Sequence, residues 1–386
     1  MTSNAEQIFF WTCVGLLAYV YLGYPLLVYL VSIVFPKSIV IGDIEPRVTV
    51  LITAFNEEAA IREKLENTLA IDYPREKLEI LVASDGSTDR TDEIVLEFAA
   101  DGVRLFRQEG RVGKTATQNK AVEQATGEII LFSDATTSYG SDVFRTILPG
   151  FADASVGCVA GRLVYVDDQG TAVGKGARSY WSYETFIKMA ESRACSLIGA
   201  SGCLYAVRRS AYEPMYPEAC SDFLICTTIY RHGLRSIFAP DAVCFEQTNM
   251  RAADELRMRV RVISQTFTDL WRNRDMMNPF KSGFFAVELV SHKALRYAVP
   301  FILLAFLFAS MALAASSLFY GAALIIHVLF YSLALAGWVL ERAGKRITLL
   351  AIPLYFTLAN LASIVGFYKF LRGETYSRWE PIRQVR

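Results

Sequence analysis

Three aspartates stand where a carboxylate could do chemistry. Asp85 follows the apolar run LEILVAS, Asp134 ends EIILFSD, and Asp222 opens SDF ahead of a helical stretch. A carboxylate can hold a divalent cation against a phosphate, take a proton from a hydroxyl, or cap a helix. One is enough for a magnesium-type ion, which takes one or two protein carboxylates and fills its shell with water and substrate phosphate. The cations are Lys114 in GRVGKT and the pair Arg257 and Arg261 in ELRMRVRV. That pair shares a helical face and could grip a diphosphate with forked hydrogen bonds, or rest on anionic headgroups. GRVGKT imitates a phosphate loop, but the position that needs glycine holds Gln108, so Gly113 and Lys114 offer only a generic loop contact.

The elements that carry these residues alternate. VTVLITA (48–54), LEILVAS (78–84), VRLFR (103–107) and EIILFSD (128–134) read as strands. Residues from 56, 87–100 and 114–126 carry helical spacing between them. Repeating β-α units predict an α/β domain with a parallel sheet, helices on both faces, and ligands at the carboxyl ends of the strands. Residues 54–57, 84–87 and 133–136 stand at those ends, small or polar but for Phe55. Each aspartate alone reads as a helix cap; three small polar ends on one edge read as a polar ligand site.

The chain is 53% hydrophobic and 20% charged with positive mean hydropathy, so part of it belongs in a bilayer. Lys plus Arg and Asp plus Glu are both 39, which argues against a nucleic-acid partner. Seven cysteines without a CxxC pair and three histidines exclude a disulfide framework or zinc cluster and fit reduced thiols. A Cys–His nucleophile stays open, with His232 in YRHGLRS reading as a surface residue.

Residues 8–35 carry no charge, more than the roughly 20 residues a span needs. Candidate spans follow at 297–318, 320–340 and 348–371, with an amphipathic stretch at 280–297 that suits either the membrane interface or packing on the soluble part. Pro353, Asn360 and Ser363 suggest a re-entrant last segment, a full third span being the alternative. Arg342, Lys345 and Arg346 put their loop, and with it residues 37–296, in the cytosol. The expected organisation is a 1–36 anchor, a 37–275 catalytic domain, a 276–296 interfacial helix, 297–371 transmembrane or re-entrant helices and a 372–386 basic tail, in a multi-pass bacterial inner-membrane protein.

With SDGSTDRTDEIV, RVGKTATQNKAV, GEIILFSDATT, IGASGCLYAVRRS and CSDFLICTTIYRHGLRSIFAPDAV in that order, the chain resembles membrane-bound family-two glycosyltransferases. That group contains the hyaluronan, chitin-oligosaccharide, cellulose and poly-N-acetylglucosamine synthases. The likeness runs from about Arg47 to Arg272, and SRWEPIR (377–383) extends it. It implies a GT-A fold, a Rossmann-like mixed sheet with helices on both faces. It further implies a nucleotide-sugar donor, by expectation a UDP-sugar, with inversion at the anomeric carbon and Mg2+ or Mn2+. By similarity Ala54, Asn56, Glu57, Asp85, Gly86, Ser87, Lys114, Asp134, Ala135 and Arg261 meet the donor. Asp134 binds the metal, with Thr136 or a water as a further ligand, and Asp222 is the catalytic base. Gly199, Ala200, Ser201, Gly202, Phe223, Arg257 and Trp379 face the acceptor.

Where the processive synthases carry QxxRW, Met258 replaces the Gln and Val262 the Trp, so only Arg261 survives, which weakens the case for long-chain synthesis. The first expected function is extension of a growing glycan, as in exopolysaccharide or oligosaccharide synthesis. The second is transfer of one sugar to a membrane lipid, as ceramide or hopanoid glucosyltransferases perform. The third is a non-catalytic sugar-nucleotide-binding subunit, against which the presence of Asp85, Asp134 and Asp222 argues.

Overall fold

The structure, a computed structural model, describes residues 4–166, 172–247, 252–343, 345 and 347–378. The chain forms two compact units. A helical unit takes Met1–Leu30, Asp167–Tyr183 and Thr248–Glu374, and a sheet unit takes Val31–Val166, Glu184–Gln247 and Thr375–Arg386.

The sheet unit holds eight strands: β1 Val48–Ala54, β2 Leu78–Ser84, β3 Val103–Arg107, β4 Ile129–Asp134, β5 Ser138–Tyr139, β6 Val156–Val166, β7 Leu204–Arg208 and β8 Arg235–Gln247. Their spatial order is β3-β2-β1-β4-β7-β6-β8-β5. The first four are parallel, as the β-α alternation predicts. All seven residues of β1 are buried, because helices cover both faces and a β-branched run suits that environment. Beyond β4 the sheet becomes mixed: β7 runs antiparallel to β4 and to β6, while β6 and β8 run parallel. The core includes Leu51, Leu81, Phe132 and Tyr205, with Phe132 and Tyr205 stacked at 4.7 Å between ring centres.

Helices Ile61–Leu69, Thr91–Glu97 and Lys114–Gln124 link the parallel strands. Just ahead of the second, Asp89 accepts the Thr91 N–H at 3.0 Å, while the N-cap position is Arg90 and has no side-chain cap.

Among the described residues four helical runs are long and apolar enough to cross a membrane: Asn4–Val34, Phe284–Leu313, Leu318–Arg342 and Ala351–Leu371. The last is one unbroken helix. Pro353 falls in its first turn, where a missing N–H breaks no internal bond. Asn360 and Ser363 spend their donors on their own helix, to Phe356 O at 2.8 Å and Ala359 O at 3.1 Å. No helix end separates 296 from 297 either, because the Phe284–Leu313 run continues through a π-helical turn at Val290–Ala294. Gly366 lets the last helix lie against helix Ala252–Arg272, where a Cβ would come 3.2 Å from Val260 O.

Candidate active site

Strand order reverses between β1 and β4, and the loops leaving their carboxyl ends flank a crevice of the kind that binds ligands in open α/β sheets. Register sets Thr53 beside Asp134 and Ala54 beside Ser84, so the three polar ends of the sequence reading share one edge.

The first two ends are knitted together. Asn56 adopts a left-handed φ of 53°, which an asparagine tolerates, and its side-chain oxygen accepts the Thr88 N–H at 2.7 Å. Its own N–H goes to Ser87 Oγ at 3.0 Å, and that of Glu57 to Thr91 Oγ1 at 2.7 Å. These bonds delay the first helix to Ile61 and leave Ala54, Glu57 and Ser87 buried. Gly86 is required where it stands, at φ 70°, since a Cβ would lie 2.6 Å from Gly110 O.

Asp85 is fully buried and organises the next loop. Its carboxylate accepts the N–H of Val112 at 2.8 Å and of Gly113 at 2.9 Å, together with the Thr117 hydroxyl at 2.9 Å. GRVGKT is thereby held as a loop against the strand ends, with the Arg111 guanidinium 3.9 Å above the Phe55 ring. The C-terminal tail runs directly over it, because a Cβ on Gly113 would sit 1.7 Å from Ser377 O. Trp379 of the SRWEPIR tail motif lies outside the described residues.

Lys114, Asp134 and Asp222 converge. Lys114 Nζ forms an ion pair with Asp134 Oδ1. A Cβ placed on Gly202 would lie 3.3 Å from Lys114 Nζ, 3.3 Å from Asp222 Oδ2 and 3.6 Å from Asp134 Oδ2. The space that glycine leaves is therefore bounded by two carboxylates and one ammonium. Burial alone lowers an ammonium's pKa, but Asp134 and Asp222 outweigh it and hold Lys114 above its ordinary range. Asp222 lies in the first turn of helix Ser221–Arg231 without capping it; Oδ1 accepts the Phe223 N–H and the Cys220 thiol, both at 3.1 Å. Ala200 donates its N–H to Asp222 O at 2.9 Å, and a Cβ on Gly199 would meet the Phe223 ring at 3.1 Å, so residues 199–202 and Phe223 form one wall.

Among the described residues no three His, Cys, Asp or Glu side chains cluster as a metal set. A cation here would have Asp134, 28% exposed in its side chain, as its carboxylate. Ala135 is buried, and Thr136 stands exposed on the turn after β4. Arg257 and Arg261 belong to the helical unit; Arg257 is exposed and paired with Asp254. His232 is a surface residue paired with Glu213 at 2.9 Å.

Two buried lysines escaped the sequence reading. Lys64 Nζ donates to Ser133 Oγ at 2.7 Å and Thr137 O at 2.9 Å, bracing the turn that presents Asp134. Lys188 donates to Ser201 Oγ at 3.2 Å, bracing the 199–202 wall. The signal for Lys64 was present: it occupies the same helical face as Ile61, Leu65 and Thr68, all buried. Beside Asp134, the Cys203 thiol donates to Glu246 Oε2 at 3.3 Å. Its hydrogen bond with Cys244, its burial and the nearby acids hold that thiol well above the ordinary range, which makes it a poor nucleophile.

Comparison with known proteins agrees with this geometry. Residues 49–215 match the profile of Glycosyl transferase family 2. Beta-monoglucosyldiacylglycerol synthase of Nostoc sp. is 28% identical over 44% of this chain and 37% of its own length. Poly-beta-1,6-N-acetyl-D-glucosamine synthase of Staphylococcus aureus is 26% identical over 59% of this chain and 52% of its own. The chain spans about half or less of the length of these relatives. The solved mannosyltransferase PcManGT from Pyrobaculum calidifontis, in complex with GDP-Man and Mn2+, superposes with a TM-score of 0.74 at 26% identity, covering 95% of this chain and 99% of that one. Profile, relatives and fold agree: residues 49–215 match glycosyl transferase family 2, and the fold is GT-A.

Proposed function

We propose that this protein is an inverting, metal-assisted hexosyltransferase that moves a sugar from a nucleoside diphosphate donor to a hydroxyl of a growing glycan at the membrane. The observation that carries this reading is the convergence of Asp222, Lys114 and Asp134 on the space left by Gly202. Asp222 Oδ2 takes the proton of the acceptor hydroxyl as its oxygen bonds to the anomeric carbon. The bond from that carbon to the diphosphate oxygen breaks, and its electron pair leaves with the diphosphate. One displacement inverts the carbon.

Lys114 offsets the diphosphate charge, residues 54–57 and 85–87 hold the nucleoside, and residues 199–202 with Phe223 hold the acceptor. The hard oxygen of Asp134, with Thr136 or water beside it, fits Mg2+ or Mn2+. When bound, such an ion neutralises charge on the departing diphosphate. The likeness to a protein solved with GDP-Man and Mn2+ supports a divalent ion and keeps guanosine beside uridine as the carrier. By their charge, Arg342, Lys345 and Arg346 place their loop in the cytosol of a multi-pass inner-membrane protein.

A second reading, transfer of a single sugar to a lipid, is favoured by Met258 and Val262 where processive synthases carry Gln and Trp, and by the likeness to Beta-monoglucosyldiacylglycerol synthase. With a labelled nucleotide sugar, a ladder supports the first reading and one organic-extractable glycolipid the second. Asp222→Asn tests both. Transfer should fall by roughly a thousandfold while nucleotide binding persists, in line with the contribution of a positioned base. Unchanged turnover would remove Asp222 from the mechanism.

A further inference from the structure

The helical unit encloses a cavity of about 350 Å³ that the transfer reaction above does not use. Arg259, Lys293 and Arg296 line it, and none of its fourteen described lining residues is a carboxylate. Glu255, outside the lining, pairs with Arg259 Nε at 2.7 Å. The Arg259 guanidinium lies 4.6 Å above the Tyr355 ring and bonds that residue's hydroxyl, while that of Arg296 lies 5.4 Å from the Tyr183 ring. Arg259 lies on helix Ala252–Arg272 and Lys293 and Arg296 near the start of the Phe284–Leu313 run, and cations gathered against apolar spanning helices mark functional sites.

A second observation is independent of charge. The two π-helical turns among the described residues, Tyr19–Gly23 and Val290–Ala294, both reach this cavity, through Tyr21 and through His292 and Lys293. A hydrogen bond of 2.8 Å between Tyr19 Oη and Ser291 Oγ joins them. A π turn re-aims the side chains of a helix at some cost in stability and is frequent at functional sites.

We infer that this cavity binds the phosphate group of a membrane lipid. Guanidinium forks and an ammonium suit phosphate oxygens. A neutral sugar would call for several carboxylates and amides that accept from its hydroxyls, and the lining offers one amide, Asn360, and no carboxylate. Ile352 and Phe356 continue the wall in apolar form, and Ile352 is 63% exposed on a helix long enough to span the bilayer, which suits an acyl or other apolar tail. The inference goes beyond the proposed transfer and does not depend on it.

The test titrates the full-length protein in maltoside micelles with lysophosphatidic acid, monoacylglycerol of equal chain length, and inorganic phosphate, reading bound ligand by native mass spectrometry. Lysophosphatidic acid should be retained and monoacylglycerol should not. Arg296→Gln and Lys293→Met should each weaken retention about tenfold or more, with Arg296→Lys intermediate. Equal retention of the two amphiphiles, or no loss in either folded variant, would overturn phosphate recognition. Inorganic phosphate binding as tightly as lysophosphatidic acid would overturn the lipid as its source. Hydrolysis of nucleotide sugar in the same samples keeps the readings apart: lipid retention without turnover sinks the transferase alone, and turnover without phosphate-dependent retention sinks the lipid site alone.

Discussion

The sheet unit gathers Asp134 and Asp222 about Lys114, whereas the helical unit gathers Arg259, Lys293 and Arg296 around a lining without a carboxylate. The first cluster has an excess of negative charge and calls for a cation. The second has an excess of positive charge and calls for an anion. The difference teaches that the two units recognise different parts of the chemistry. A carboxylate at a strand end and another in the first turn of a helix suit a metal and a proton, whereas guanidiniums among apolar helices suit a phosphate.

Metal removal is the strongest way to separate the clusters. Chelator, or Asp134→Asn, should lower sugar transfer by roughly a hundredfold or more, the scale of losing one electrostatic stabiliser of a transition state. Retention of lysophosphatidic acid should stay the same under both treatments. Initial rates with and without added Mn2+ measure the first, and native mass spectrometry the second. A chelator-insensitive rate would show that Asp134 does not act through a cation. A loss of lipid in step with the metal would end the distinction between the two clusters.

A smaller effect should come from filling the space between the carboxylates. Gly202→Ala needs no special backbone conformation, but its methyl would stand within 3.6 Å of Lys114 Nζ, Asp222 Oδ2 and Asp134 Oδ2. All three are tips of flexible side chains, so they can yield and the fold should hold. The displaced groups should cost roughly tenfold in kcat with a smaller change in donor KM. A variant with wild-type kcat would mean that the reaction does not take place in that space.

The sheet cluster was largely legible in the sequence and the helical one was not. The strands carrying Asp85 and Asp134 are β-branched runs in regular β-α alternation, and their ends can be read residue by residue. Asp85 was read as a donor contact, yet its carboxylate is occupied by the 112–117 loop, a partnership that no local pattern encodes. The strands past β4 were less legible because their pairing joins residues far apart, such as Val156 and Arg235. Arg257 and Arg261 drew attention by their spacing, but Arg259 between them lines the cavity. Its partner Tyr355, and Arg296 in the same lining, come from helices distant in sequence. A cavity between helices is a property of packing, and hydropathy reports only that the helices are apolar.

Lys64 gives the smallest and most conditional test, because it is a buried cation that the fold compensates in a third way. Burial brings its pKa down to about 7, and Ser133 and Thr137 satisfy its hydrogens. The unfolded chain has the ordinary lysine value, about 10.4. Below about pH 7 Lys64 is charged in both states and contributes no slope. Between those values the unfolded state binds more protons, so stability rises with pH. Lys64→Met removes that slope. Melting in detergent from pH 7 to 9 should therefore show the wild type gaining on the variant by a few degrees, about 1 kcal/mol per few degrees being typical of domains this size. Parallel pH curves for the two proteins would mean that Lys64 stays charged in the fold, and its neutral bracing of the Asp134 turn would have to be replaced by an ion pair.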